Sequence, residues 1–450
     1  MSESVREPIT VIGAGLAGCE AAWAAAQRGV PVVLWEMKPE KYTPAHHEPD
    51  FAELVCSNSL KAARLDSAAG LLKEEMARLG SLCVPVARRW AVPAGGALAV
   101  DRHGFSKTVT EAIRNHPLIT VREGEVTEIP DEGIVVVATG PLTAPTLAEK
   151  IAGLCGGGLS FFDAAAPIVT AESIDMTSAF RASRYDREES GEGDYINCPL
   201  NKEEYEAFHR ELVAAERAPL HEFDTPTDLT VYEGCMPIEV LASRGTDAIR
   251  FGPMKPVGLR DPHTGHRPWA VVQLRTENAE GTLYNLVGFQ TNLKFGEQKR
   301  VFGMIPALKN AEFARYGVMH RNTFLNAPTL LDASFGFRAR PGLFFAGQMT
   351  GVEGYMESAG SGLLAGINAA RFAKGESPLI LPRETMLGSL AGHVADPNDH
   401  YQPMGANFGI LPAIEPHIRD KRQRYGALAQ RALQMLAASC AAQGEAAAQA

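Results

Sequence analysis

Hydrophobic and polar positions divide the chain into two stretches of short apolar strands and small-residue helices, one at each end, around a middle of different texture. Ile9 to Ile12 form an apolar run that stops at glycines, Ala17 to Arg28 are alanine-rich at helical spacing and close at Gly29, and Val32 to Trp35 return to a strand ending at Glu36. The pattern then breaks: Pro39, Pro44 and Pro49 with His46 and His47 predict an irregular loop, and helical spacing resumes at Ala68. Leu118 to Ile129 alternate as a strand does, and Gly133 to Pro141 read as a buried parallel strand ending in Ala-Thr-Gly. LCGGGL, Leu154 to Leu159, has no apolar strand leading into it and reads as a flexible connector. From Ser160 to about Leu330, β-like runs such as WAVVQL and LYNLVGF mix with prolines, turns and a charged helical piece, Lys202 to Ala218. The opening texture then returns: Leu343 to Ala346 run into Gly347, a glycine-rich loop and a small-residue helix from about Ser358 to Ala373. The tail, AASCAAQGEAAAQA, is low in complexity and expected to fray.

These patterns predict an α/β protein of the two-dinucleotide flavoprotein kind. A Rossmann-like FAD-binding domain would be discontinuous over residues 5–160 and 331–440, an α+β substrate domain would be inserted at 161–330, and 441–450 would be a frayed tail. The nucleotide reading rests on Gly13, Gly15 and Gly18, spaced G-x-G-x-x-G between strand and helix. The first glycine permits the tight turn, the second lets backbone approach a pyrophosphate, and the third lets the helix pack on the strand. The helix N-terminus then faces the phosphates, and Glu36 stands at the offset of a ribose-binding acid. A second glycine-rich strand-to-helix junction late in the chain favours FAD over a nicotinamide as resident cofactor, since a nicotinamide-only dehydrogenase has no need of it. The expected cofactor contacts are Gly13, Ala14, Gly15, Leu16, Ala17, Gly18 and Glu36 at the first junction, Asn58, Ser59 and Gly140 between, and Gly347, Gln348, Gly354, Tyr355 and Ser358 at the second.

A chain of 450 residues, 45% hydrophobic, is ample for a large core and suggests two or three domains. No run approaches the roughly 20 apolar residues of a membrane span, and the start, MSESVREP, lacks the features of a signal peptide, so a soluble protein is expected. Seven cysteines without paired spacing fit neither a disulfide framework nor a zinc site, and no metal is expected; a reducing cytoplasm is the natural setting. The net charge of −10 argues against nucleic acid until its distribution is considered. Leu241 to Arg340 hold 14 Lys and Arg against 7 Asp and Glu, an excess of +7 that leaves −17 elsewhere. Such a section is either an anionic-ligand surface or a solvated face.

Several motifs in this section carry a resemblance. EGCMPIE (Glu233 to Glu239), RFGPMKPVGL (Arg250 to Leu259), VVQLR (Val271 to Arg275), YNLVGFQT (Tyr284 to Thr291), MIPALKNAEF (Met304 to Phe313), RYGVMHRNTF (Arg315 to Phe324) and FFAGQMTGVEGYMES (Phe344 to Ser358) closely resemble the folate- and FAD-dependent tRNA (uracil-5-)-methyltransferases, the TrmFO type. The likeness runs from Ile9 to about Pro412. One departure is Gly234, where an alanine is expected before the cysteine. The resemblance implies methylation of the T-loop uridine, position 54, of tRNA to 5-methyluridine. The carbon would come from 5,10-methylenetetrahydrofolate and the reducing equivalents from NADPH or NADH by way of FAD, with no obligate protein partner.

The residues make chemical sense of that reaction. Uracil C5 is a poor nucleophile until a thiolate adds at C6, and a methylene carbon becomes a methyl only with a hydride. Cys56, in L-V-C-S-N-S-L-K, and Cys235 sit in the family's motifs and are the candidate catalytic thiols, with the choice of C6 nucleophile left open. Lys61 or Arg64 beside the first, and Arg244 or Lys255 beside the second, are cations able to depress a thiol pKa. Cys19, Cys83, Cys155, Cys198 and Cys440 read as packing residues. Arg250, Lys255, Arg260, Arg275, Lys294, Lys299, Arg300, Arg315 and Arg321 are candidates for phosphates or folate carboxylates, and Tyr284, Phe289, Tyr355 or Trp269 for stacking on base or pterin. Three other readings stand beside this one. A GidA-type wobble-uridine enzyme shares FAD and folate but is longer and works with a GTPase; a tRNA-binding flavoprotein would lack turnover; a generic NAD(P)H flavin oxidoreductase would leave the basic section and Cys235 idle.

Overall fold

Five short strands lie side by side in a parallel sheet, in the order Leu343–Phe345, Val135–Val137, Ile9–Ile12, Val32–Glu36 and Ile119–Glu123, the last a largely polar edge. This computed structural model describes residues 7–156, 159–164, 166–184, 193–218, 236–278, 280–317, 319–398 and 401–445, without side chains at 159–164 and 319–323. Val135–Val137 and Leu343–Phe345 are buried throughout, as strands covered on both faces must be. The run from Leu118 to Ile129 is strand only over Ile119–Glu123; Gly124, at φ +135°, ends it, and the polar residues beyond find no partner strand.

The opening helix, Leu16–Gln27, and the returning helix, Tyr355–Ala373, cross on this sheet with their backbones in contact. A Cβ on Gly362 would stand 2.1 Å from the Ala17 carbonyl oxygen, and one on Gly366 would stand 2.3 Å from that of Ala21. The alanine and glycine content of both helices is what permits this approach. A third helix, Ala68–Arg78, is capped by Ser67, whose hydroxyl accepts from the Gly70 amide. Its buried Glu75 accepts in turn from the Met386 and Leu387 amides at 2.8 Å each, satisfying the first turn of the helix Met386–Ala395.

The middle of the chain builds a six-stranded antiparallel sheet, ordered Phe180–Arg181, Tyr195–Leu200, Ala270–Thr276, Leu283–Leu286, Ile168–Thr170 and Phe313–Arg315. Period-two alternation gives it two unlike faces. Ile196, Cys198, Val272, Leu274 and Leu286 pack with Tyr205, Phe208 and Leu212 of the helix Lys202–Ala214 and with Val301 and Phe302 of the helix Phe295–Phe302. The helix expected as far as Ala218 stops at Ala214, after which the chain bridges from Arg217 to Leu293. The opposite face carries Tyr195, Asn197, Gln273, Arg275 and Asn285, and it docks on the first part of the chain through hydrogen bonds. Tyr195 Oη donates to the Ala94 carbonyl at 2.7 Å, and the Asn58 amide donates to the Thr276 carbonyl at 2.9 Å.

The tail does not fray over the described residues. Lys421–Ala442 form a helix capped by Asp420, with Leu428, Ala429, Ala432, Leu433, Leu436 and Cys440 on its buried face. Glu445 beyond it accepts from Arg28 Nε at 2.7 Å and from Arg371 Nη1 at 3.2 Å. Low complexity concealed an apolar stripe at helical spacing; residues 446–450 lie outside the described set. Of the expected LCGGGL connector, Leu154 and Cys155 end the helix Pro145–Cys155 and Gly156 closes it in the left-handed region, while 157 and 158 lie outside the described set. Among the described residues no helix is long and apolar enough to cross a membrane.

Candidate functional site

At the carboxyl ends of the central strands lies a cleft of about 1220 Å³, counting the space open to solvent at its mouth. Gly13, Ala14, Gly15, Leu16, Ala17, Glu36, Gly140, Gly347, Gln348, Tyr355 and Ser358 line it. Gly13 has φ +97°, and a side chain there would strike the Ala138 carbonyl at 2.7 Å, so the turn requires glycine. A Cβ on Gly15 would meet nothing within 4 Å, leaving open space where the helix N-terminus begins. Gly18 does not line the cleft: its Cβ would overlap the Gly13 carbonyl at 1.7 Å, so it serves the contact of helix with turn. Glu36 Oε2 accepts from the Ala14 amide at 2.8 Å and Oε1 from Lys38 N at 3.0 Å. The second glycine turn lies against the first helix, since a Cβ on Gly347 would come within 3.3 Å of the Ala17 methyl.

Cys56 is brought to this cleft by a contact spanning most of the chain. Its Sγ lies 2.9 Å from Tyr355 Oη, and that oxygen accepts from the Cys56 amide at 2.7 Å and the Ser57 amide at 3.2 Å. Burial, and after it the neighbouring Cys56 charge, push the Tyr355 hydroxyl well above its ordinary pKa, so it stays protonated. With two N–H groups already on the oxygen, its own proton is the one free to point at sulfur. The Cys56 loop is held from below by the polar sheet face. Arg275 Nη2 donates to Ser57 Oγ at 2.8 Å and Nε to Asn58 Oδ1 at 3.0 Å, while Arg102 bridges Glu277 at 2.6 Å and the Leu54 carbonyl at 2.7 Å.

Several expected site residues fall elsewhere. Asn58 is fully buried, with its amide spent on Val100, Thr276 and Arg275, and Ser59 begins the strand Ser59–Ala62; neither lines the cleft. Gly354 is the residue before the returning helix, packed against Glu357 and Lys61 rather than the cleft. Lys61 is paired with Glu357 at 2.6 Å and Arg64 with Asp66 at 3.3 Å. Tyr284 and Phe289 belong to the apolar core on the far face of the sheet, with Tyr284 Oη accepting from Arg181, so neither is placed to stack on a base. The basic residues differ in their engagements: Arg250 lies over the Trp269 ring at 3.8 Å, Arg300 is tied to Glu297 and Glu211, Lys294 to Glu216, and Lys255, Arg260 and Lys299 are exposed. The Arg321 side chain and all of Cys235, with Glu233 and Gly234, lie outside the described residues. Cys19, Cys83 and Cys198 are fully buried, which pushes their thiols far up, and burial raises Cys155 and Cys440 to about 11.

Sequence reasoning missed Lys38, His46 and Glu53 along the cleft and Arg102 and Glu277 beneath it. The first three sit in an aperiodic loop, where no spacing rule selects a residue. Lys38 Nζ gathers the Glu48 and Asp50 carbonyls and the Glu53 carboxylate, closing the loop on itself.

Compared with known proteins, the chain matches the family described as GIDA, Glucose inhibited division protein A, over residues 8–377. It is similar to the methylenetetrahydrofolate–tRNA-(uracil-5-)-methyltransferase TrmFO of Enterococcus faecalis, 59% identical over 431 residues, covering 95% of this chain and 98% of that protein. A second relative of the same description, from Symbiobacterium thermophilum, is 60% identical over 437 residues, covering 96% of each. Among solved structures it is similar in fold to Aquifex aeolicus GidA in the form II crystal, with a TM-score of 0.70 at 17% identity, covering 98% of this chain but 74% of that one.

Proposed function

Since this chain belongs to the TrmFO family of methylenetetrahydrofolate–tRNA-(uracil-5-)-methyltransferases within the GidA-like flavoproteins, we propose that its cleft is where FAD, the one-carbon folate and an extruded tRNA uridine meet beside Cys56. The reaction is folate-dependent methylation of tRNA uracil at C5. Our finer reading assigns it to the T-loop uridine 54, takes NADPH or NADH as reductant, and places the enzyme in the cytoplasm with its substrate. The observation that carries this reading is the 2.9 Å contact of Cys56 with Tyr355, because Tyr355 also lines the nucleotide cleft and so ties the thiol to the cofactor's place.

The residues fit FAD. Gly15 offers a cradle with no atom within 4 Å of a would-be side chain, at a helix start whose free N–H groups suit a pyrophosphate. Glu36 stands at the end of the second strand, within hydrogen-bond distance of the turn, where a ribose hydroxyl would sit. When bound, reduced flavin supplies the hydride equivalent that turns a methylene carbon into a methyl. The protein's own part is to present a thiolate to C6, to hold Cys56 through Tyr355, and to keep the loop rigid through Arg275 and Arg102. Cys56 and Cys235 are the two catalytic thiols in this reading. Gly13, Ala14, Gly15, Leu16, Ala17, Glu36, Gly140, Gly347, Gln348, Tyr355 and Ser358 hold the cofactor. Exposed Lys255 and Lys299 meet tRNA phosphates.

The test is direct. Purified holoenzyme is given methylenetetrahydrofolate labelled in the transferred carbon, NADPH or NADH and an unmodified tRNA transcript, and the nucleosides are resolved. Label in 5-methyluridine at position 54 is expected. Label in a wobble-position nucleoside, or none, would refute the reading.

A further inference from the structure

Among the described residues, the polar face of the six-stranded sheet leaves hydrogen-bond donors of Thr170, Asn285 and Arg315 unmatched, the last two near the Cys56 loop. Its register aligns Tyr195 with Arg275, Arg275 with Asn285, Asn285 with Ile168, and Ile168 with Arg315. Tyr195, Arg275 and Asn285 therefore share the face that meets the Cys56 loop, and a register shift between Phe313 and Arg315 sets Arg315 opposite Ile168 on that face while Phe313 packs on the apolar side. Arg275 is used on Ser57 and Asn58, and Tyr195 donates to Ala94. Asn285 Nδ2 and Arg315 Nη2 are both buried and have no hydrogen-bond partner among the described residues, and Asn285 is only 2% exposed. Among the described residues Arg315 forms no ion pair. Burial, and then the nearby charge of Arg102, make its guanidinium easier to deprotonate than usual, and Tyr355, Glu53 and Cys56 are close enough to act on it as well. Thus one amide donor and one cationic donor stand on the face that carries the Cys56 loop with no partner among the described residues. A buried donor left unmade is costly, and one retained beside a reacting group calls for a partner from outside the chain.

We propose, on the footing of the function assigned above, that Asn285 and Arg315 hold the C4 carbonyl oxygen of the target pyrimidine and take up the negative charge that develops on it. When a thiolate adds, a sulfur–C6 bond forms, the C5=C6 π pair moves to C4–C5, and the carbonyl pair goes to O4 as an enolate. The pair returns as C5 bonds to the one-carbon unit. Loss of the C5 proton sends the pair to O4 once more, and cleavage of the bond between the one-carbon unit and its carrier nitrogen leaves a methylene on C5. The hydride that reduced flavin would supply converts it to a methyl as the thiolate leaves C6 and the ring is restored. Charge thus arrives at O4 and leaves it within the reaction, and donors fixed in advance around that oxygen lower the barrier to addition. A pyrimidine carbonyl is favoured over a folate carboxylate by position. Arg315 is near enough to Cys56 and Tyr355 for their charges to act on it, Asn285 stands opposite Arg275, which holds the Cys56 loop, and a neutral amide with a single cation suits an oxygen whose charge is transient.

The experiment uses full-length, FAD-loaded enzyme and a T-loop RNA stem-loop carrying 5-fluorouridine at the target position, with covalent complex read on denaturing gels. FAD content and melting temperature are measured on the same samples, and the KM for methylenetetrahydrofolate on unmodified RNA. Arg315→Gln and Asn285→Leu are each expected to slow trapping about 100-fold, the usual loss for one oxyanion donor. Folate KM and FAD content should stay within about twofold of wild type, since an interaction made only as charge develops leaves ground-state binding alone. Arg315→Lys, which keeps the charge, should recover part of the rate and carries the test if the glutamine variant does not fold. Unchanged trapping with a raised folate KM would make the pair a carboxylate holder and overturn the proposal, as would variants unchanged in both. If wild-type enzyme itself neither traps the RNA nor methylates it, the assigned function fails instead.

Discussion

Replacing Gly362 by alanine adds one methyl group where the opening and returning helices leave no room for it. The new Cβ would stand 2.1 Å from the Ala17 carbonyl oxygen and 2.6 Å from its Cα and carbonyl carbon. All three obstacles are backbone, so no rotamer change relieves them and the helices must part. Overpacking a dense core by one carbon costs about 1–3 kcal/mol, and a collision of backbone with backbone belongs at the top of that range. About 3 kcal/mol corresponds to a melting temperature lower by roughly 5 °C or more in a domain of this size. The same displacement carries the Gly13–Ala17 turn away from Gly347, so FAD should be lost as well. Gly15→Ala is the control. Its Cβ would meet no protein atom within 4 Å, and φ of −69° suits alanine, so the ligand-free protein should melt as wild type does while FAD binds at least tenfold more weakly. Thermal melts of FAD-free and FAD-loaded protein, with FAD titrated by flavin fluorescence, separate the two effects. A Gly362→Ala protein that melts like wild type and keeps its flavin would refute the reasoning. So would a Gly15→Ala protein as destabilised as Gly362→Ala when free of ligand.

Other expectations follow from the same geometry. Cys56→Ala and Cys235→Ala should each retain FAD and bind tRNA yet make almost no 5-methyluridine, whereas Cys440→Ala, remote from the cleft, should turn over near the wild-type rate; nucleoside analysis decides, and full activity in both single variants would remove the thiols from the mechanism. Glu277→Ala leaves Arg102 buried without its acid and should cost about 3–5 kcal/mol in thermal or denaturant unfolding, while Arg102→Met with Glu277→Met should recover much of that. Burial raises Glu75 to about 8, from an ordinary 4.5. The native state then holds a proton that the unfolded chain releases, so this group's contribution is complete below about pH 4.5 and is lost as pH rises through 8. Glu75→Gln should flatten the pH dependence of stability across that window, and an unaltered profile would mean that Glu75 titrates normally.

The sequence was most informative where chemistry and local pattern coincide. Gly13, Gly15 and Gly18 fall between an apolar run and a small-residue helix within a dozen residues, so the turn, its strand and its helix could be read together. Tyr355 was named from its motif, but its bond to Cys56 crosses 299 residues and leaves no local trace. The basic section shows why a charge count is a weak guide: Arg300 and Arg275 contribute equally to it, yet one is a surface ion pair and the other a buried support for the Cys56 loop. A signal for the second did exist. In VVQLRT, Gln273 and Arg275 sit two apart in a strand whose every residue is buried, which marks a polar face that must meet polar partners. Tyr284 misled because an aromatic in a matching motif looks like a stacking group, when its place in the strand turns it to the apolar side.

The close crossing of the two glycine- and alanine-rich helices also bears on how the chain is made. Ile9–Ile12, the centre of the parallel sheet, and the helix that follows it leave the ribosome first, but the strand Leu343–Phe345 and the helix bearing Gly362 and Gly366 come from the last third of the chain. At ordinary rates of synthesis that is a delay on the order of half a minute. For that interval the first nucleotide-binding unit has a bare helix face and an unfinished sheet. The nascent chain must hold this surface open, or covered by a chaperone, until its own distant end arrives to close it.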